Sequence, residues 1–184
     1  MFIVVTRNFP PEVGGIQNLI EGLSNALLSH GPVKVFAEKH EKSEDYDLKS
    51  NLKIERISGF KIFRKFRKAN IINEFVKQNE IRAAFFDHWK SIENINSDII
   101  KKTTSFCLIH SKEINHPKGS RLNKKVLEVL NNVDHVIANS NFTKNLAVSL
   151  GVEEKRLIVI NPGVDPVEEI PKDDLKQAEE MLKG

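Results

Sequence analysis

The chain has a single cysteine, Cys107, in 184 residues, so no intramolecular disulfide can form. That scarcity suits a reducing compartment, and the cytoplasm is the expected location. No apolar run approaches the roughly 20 residues that a membrane-spanning helix needs. The N-terminus lacks a basic stretch ahead of a long apolar one, so no signal peptide is expected. The phosphate loop that ends in Gly-Lys-Ser/Thr is missing, which argues against an NTPase. The full GxGxxG fingerprint is also missing, which weakens a dinucleotide-dependent oxidoreductase or epimerase. Cys107, His110 and His116 have neither a cysteine pair nor an HExxH pattern around them, so no metal and no cofactor are expected. A net charge of +3 is too small to call for nucleic acid.

What is present is an ordinary globular composition, 40% hydrophobic and 29% charged, in a length sufficient for one sizeable core. Short apolar runs alternate with helical patterns along the chain. The strand-like runs are Phe2 to Thr6, Val33 to Ala37, Leu52 to Ile57, Ala83 to Phe86, Ser105 to Ile109, His135 to Ala138 and Leu157 to Ile160. Helical spacing joins Ile16, Leu19, Ile20, Leu23 and Leu27. It recurs over Ile71 to Val76, Ile92 to Lys101, Leu122 to Val133 and Phe142 to Leu150. This alternation predicts an α/β fold with a doubly wound, mostly parallel, Rossmann-like sheet. Glu38 to Ser50 reads as an exposed loop. From Pro162 the prolines 162, 166 and 171 stand among acidic residues, as in a linker, and Lys172 to Leu182 reads as one more helix. The expected division is a domain over 1–161 and, over 162–184, a linker and the start of a further domain.

The first strand runs into a turn with Pro10, Pro11, Gly14 and Gly15, and then into a helix. Such a turn offers free backbone N–H groups and a positive helix end to a phosphate. It also simply lets a strand turn into a helix, and both readings stand. In open α/β sheets, ligands bind beyond the carboxyl ends of the strands. The residues just past those ends are Asn8 with Gly14 and Gly15, then Asp87-His88-Trp89, His110, Asn139-Ser140, and Asn161-Pro162-Gly163. Polar groups from five strands therefore converge on one crevice. His110 has the pKa class for proton transfer and the reach to bond a sugar hydroxyl or a backbone carbonyl. Its alternative is a structural histidine bonded to a neighbouring loop.

Lys61-Ile62-Phe63-Arg64-Lys65-Phe66-Arg67-Lys68 carries five positive charges and two phenylalanines in eight residues. A basic amphipathic segment of this kind lies well on an anionic membrane surface. The competing expectation is a solvated basic helix face with its phenylalanines in the core.

Four stretches carry a family resemblance. They are Phe9 to Gln17 with the helix after it, Phe86-Asp87-His88-Trp89, Leu108 to Glu113, and Asp134 to Thr143 followed by Gly151-Val152 and Ile158 to Asp165. The chain resembles the N-terminal, acceptor-side domain of a family 4 (group 1) retaining glycosyltransferase with the GT-B fold. The resemblance implies two Rossmann-like domains facing across a cleft, with the donor domain beyond Gly184 and this half inactive alone. It implies a nucleotide diphosphate sugar as donor, a glycan or glycolipid acceptor, and no metal. Lipid-linked sugar or surface polysaccharide assembly is the implied setting. It gives Gly14 and Gly15 the donor diphosphate and His110 the catalytic place. Asn8, His88, Asn139 and Ser140 would line the cleft, and Lys112 and Glu113 would sit on an acceptor loop. Residues 61 to 68 match the membrane-docking character of members with lipid acceptors. The chain has Ser111 where many relatives have glycine, and a side chain there is expected to alter the loop path. The alternative from another class is a stand-alone, non-catalytic binding domain.

Overall fold

The computed structural model describes residues 1–163 and, beyond them, Leu175, Glu180 and Met181, which are helical. The expected linker, most of the helix at Lys172 to Leu182, and Val164-Asp165 lie outside the described residues. Seven strands form one all-parallel sheet: β1 (Phe2–Val5), β2 (Val33–Glu38), β3 (Lys53–Ile57), β4 (Ala83–Phe86), β5 (Thr104–Ile109), β6 (His135–Ala138) and β7 (Leu157–Val159). Their order across the sheet is β3-β2-β1-β4-β5-β6-β7. Each expected strand is present, within a residue or two at its ends.

Alternating side chains of β1 pack on opposite faces, as the period of a strand requires. Phe2 and Val4 join α1 (Gly15–Leu28) through Ile20 and Leu27, with Val33 and Val35 beside them. Ile3 and Val5 face the other layer. It is built from α3 (Lys61–Gln78), two short helices α4 (Trp89–Ile92) and α5 (Ser97–Ile100), α6 (Arg121–Leu130) and α7 (Asn141–Leu150). Both faces of β1 are buried, which explains its unbroken apolar run. α2 (Ser43–Asp47) completes the set.

Two sequence expectations are corrected. The single helix expected over Ile92 to Lys101 is broken in two. Asn94 takes a left-handed φ of 74°, and the side chain of Asn96 accepts a bond from the amide of Asp98, which starts α5 afresh. The segment Glu38 to Ser50 is not a free loop. It contains α2, and Tyr46 packs edge-on against buried Phe9, with ring centres 6.1 Å apart.

The strand order reverses between β1 and β4, whose ends are paired at Val5 and Phe86. That reversal opens a crevice at the carboxyl edge, where Arg7, Asp87 and their neighbours emerge.

Candidate functional site

Asp87 follows β4 directly and is buried, yet it is a carboxylate. Burying it requires partners, and it has three. The hydroxyl of Thr6 donates to Oδ2 at 2.7 Å, the amide of Arg7 to Oδ2 at 3.0 Å, and the hydroxyl of Ser91 to Oδ1 at 2.6 Å. The side chain thereby ties the ends of β1 and β4 together on either side of the crevice. Its backbone carbonyl meets Nε2 of His110 at 3.2 Å. A carbonyl only accepts, so Nε2 carries the hydrogen, and in the neutral ring Nδ1 keeps its lone pair.

The turn behind His110 is closed by Glu113, whose carboxylate accepts from the amide of His110. The carbonyl of Glu113 accepts from the indole of buried Trp89 at 2.9 Å. Glu113 thus positions His110, and its carboxylate is engaged inside the turn. Lys112 is exposed on the same turn. Ser111 adopts φ of 77°, the left-handed region that glycine takes freely. Its side chain does not keep the loop out of the conformation that a glycine there would favour, against the sequence expectation.

His88 caps α4, with Nδ1 accepting from the amide of Lys90 at 2.9 Å. Burial holds its pKa down at about 4, aided by the positive charges of Lys90 and Arg7 and opposed by Asp87. It is therefore neutral near pH 7. On the same side of the crevice, His110 and Asn139 follow the paired residues Ile109 and Ala138, so they stand side by side. Asn139 accepts from the hydroxyl of Thr143 at 2.6 Å. Ser140 caps α7 by accepting from the amide of Thr143 at 3.2 Å.

The glycine turn begins α1 at Gly15. Gly14 has φ 170°, extended backbone open to any residue, and its carbonyl accepts from the amide of Asn18 at 3.0 Å. A Cβ at Gly14 would strike Gln17, whereas one at Gly15 would meet nothing within 4 Å. Internal packing therefore does not demand glycine at position 15, and the space above it is open. Arg56 anchors the front of this turn. It grips Asp47 with two nitrogens, Nε to Oδ2 at 3.0 Å and Nη2 to Oδ1 at 2.7 Å, and donates to the carbonyl of Pro10. Its guanidinium lies 5.5 Å from the ring of Phe9. Asn8 is exposed past the end of β1.

The basic segment 61 to 68 forms the first turns of α3, and its charges do not share one surface. Arg64 pairs with Glu38 and bonds the carbonyl of Gly59. Lys65 reaches Glu93 at 3.5 Å. Lys68 is only 4% exposed, so it is not part of any membrane-facing surface. The side chain of Lys61 lies outside the described residues. Arg67 is exposed, and so are Phe63 at 69% and Phe66 at 48%, which goes against the competing reading that the phenylalanines fill the core. Phe60 and Ile62 are exposed beside them.

Among the described residues no helix is long and apolar enough to cross a membrane, and no three metal-binding side chains cluster. Cys107 is buried, and burial raises its thiol pKa well above the ordinary value.

Glycosyltransferase Family 4 matches residues 13–168, most of the chain. The chain belongs to this family. No curated protein matches it. Among solved structures it is similar to Anabaena HepE in complex with UDP-glucose, at 13% identity and a TM-score of 0.72, covering 100% of this chain and 50% of that one. It is similar to the lipopolysaccharide outer core galactosyltransferase WaaB, at 16% identity and 0.65, covering 95% and 50%. It is also similar to sucrose-phosphate synthase from Thermosynechococcus elongatus, at 13% and 0.65, covering 89% and 48%. The chain spans about half the length of these relatives. This family 4 chain has the fold of a GT-B N-terminal domain, and the family match favours a glycosyltransferase domain over an oxidoreductase or a separate binding module.

Proposed function

We propose that this domain forms the acceptor side of a retaining glycosyltransferase whose donor half lies beyond Gly184. One observation carries the reading: His110 is held by the carbonyl of Asp87, which stands at the switch point of the sheet, and the glycine turn after β1 is open at the same carboxyl edge. In this reading the donor is a nucleotide diphosphate sugar. Uridine diphosphate sugars are the first to test, because HepE binds UDP-glucose. The diphosphate approaches the amides at Gly14 and Gly15. His110 orients a sugar hydroxyl through Nδ1, the ring nitrogen that Asp87 leaves free. Asn8, His88 and Asn139 line the cleft, and Lys112 meets the acceptor. No metal or cofactor has a role.

The acceptor is a glycan or glycolipid of surface polysaccharide assembly. Phe60, Ile62, Phe63 and Phe66, with Arg67, form the surface that rests on an anionic membrane from its cytoplasmic side. The domain alone has no turnover. A screen of the full-length protein with uridine diphosphate sugars and lipid or glycan acceptors tests this reading. Acceptor-dependent release of nucleoside diphosphate supports it, and its absence across donors and acceptors opposes it.

A further inference from the structure

Lys68 is buried, and among the described residues its ammonium has no hydrogen bond and no carboxylate within 4.0 Å. Its Nζ is nonetheless not sealed off, since among the described residues no buried side-chain nitrogen lacks a partner. An ammonium held this way keeps only part of its hydration and has no protein acceptor of its own.

Its surroundings explain why nothing in the domain satisfies it. Lys68 lies one turn after Arg64 on the inner side of α3, near Arg7, Glu38 and Asp87. The Asp87 carboxylate already accepts from Thr6, Arg7 and Ser91. The Glu38 carboxylate is shared, with Oε2 on Arg64 and Oε1 3.7 Å from Nε of Arg7. Three cations thus stand against two carboxylates that are both engaged. These groups come from the carboxyl ends of β1, β2 and β4 and from α3, all flanking the crevice. Burial depresses the pKa of Lys68, the two carboxylates oppose this, and Arg7 and Arg64 add to it. An anion would reverse that imbalance.

We propose that Lys68, with Arg7 and Arg64, forms a subsite for an anionic group of the acceptor, a phosphate or a sugar carboxylate. This rests on the acceptor-side reading above. It deepens it by making the acceptor a phosphorylated or uronic acid-bearing molecule. The fork of each arginine and the three donors of the lysine suit a tetrahedral or planar oxyanion. Arg7 is partly exposed and supplies the mouth of the subsite, while Lys68 supplies its floor.

Binding of inorganic phosphate, and separately of glucuronate, to this chain is measured by calorimetry and by NMR of the lysine side chains. We expect one of them to bind and to shift the Lys68 signal. Lys68→Met, which keeps the buried volume, should weaken that binding by about tenfold or more. Lys124→Met, at an exposed site on α6, should not change it. If Lys68→Met does not fold, Arg7→Gln is the second variant, and it should weaken binding several-fold. Preference for phosphate identifies a phosphorylated acceptor, and preference for glucuronate an acidic sugar. Absence of binding by either anion, or binding that Lys68→Met and Arg7→Gln leave unchanged, overturns the proposal. The readout is binding by this domain, so its failure is separate from a failure of the transfer reading.

Discussion

The imidazole Nε2 of His110 lies 3.2 Å from the backbone carbonyl of Asp87, which follows β4 beside the point where the strand order of the sheet reverses. The same Asp87 holds the ends of β1 and β4 through its side chain. One residue therefore sets the width of the crevice and the tautomer of the histidine beside it. Replacing Asp87 with Ala would strand the Ser91 hydroxyl and the Arg7 amide without an acceptor. We expect a loss of about 2–4 kcal/mol in stability, read from urea unfolding. A loss under about 1 kcal/mol would refute this role.

His88 gives the fold a dependence on pH. Its pKa is about 4 in the fold, against an ordinary 6.5. The unfolded chain takes up the proton first, so the stability from neutral His88 is present above about pH 6.5 and is lost as pH falls towards 4. His88→Asn keeps a capping acceptor and cannot titrate. Urea midpoints at pH 7 and pH 4.5 should differ less in this variant than in the parent. An equal difference would show that His88 does not contribute.

Ser140 is a helix cap in the described structure. Ser140→Ala should cost about 1 kcal/mol in thermal or urea unfolding, and Ser140→Asp should restore most of it. Unchanged stability in Ser140→Ala would refute the capping role.

Ser111 holds a left-handed backbone. Ser111→Gly removes the strain of that conformation but adds flexibility to the unfolded chain, so a net gain of about 0.5–1 kcal/mol is expected. A loss of stability would mean that the Ser111 side chain makes a contribution larger than the strain.

The membrane surface rests on exposed rings. The double variant Phe63→Ser, Phe66→Ser should reduce sedimentation with phosphatidylglycerol vesicles by roughly tenfold or more. Lys68→Met should leave it unchanged, because that side chain is buried. Equal loss in both variants, or none in either, would contradict the assignment.

The seven strands and their strand-end residues were legible because parallel strands buried on both faces read as apolar runs, and each polar exit residue stands out after one. His110 and the glycine turn could be located that way. The charge network could not. Nothing in the run from Lys61 to Lys68 distinguishes the buried Lys68 from the exposed Arg67, since that difference arises from how α3 packs on the sheet. The clamp of Arg56 on Asp47 and Pro10 joins residues 9 and 46 positions apart, and no local pattern signals it. The break at Asn94 leaves no trace in the local pattern, because the apolar spacing continues through it. A left-handed asparagine and a fresh cap at Asn96 override that periodicity.

The most direct test of the account is sugar transfer by the full-length enzyme carrying His110→Ala, measured as kcat alongside the melting temperature. The account predicts a kcat lower by about a hundredfold or more with the fold retained, since a positioned polar group at the reacting sugar is lost. Transfer near the parent rate from the folded variant would contradict it.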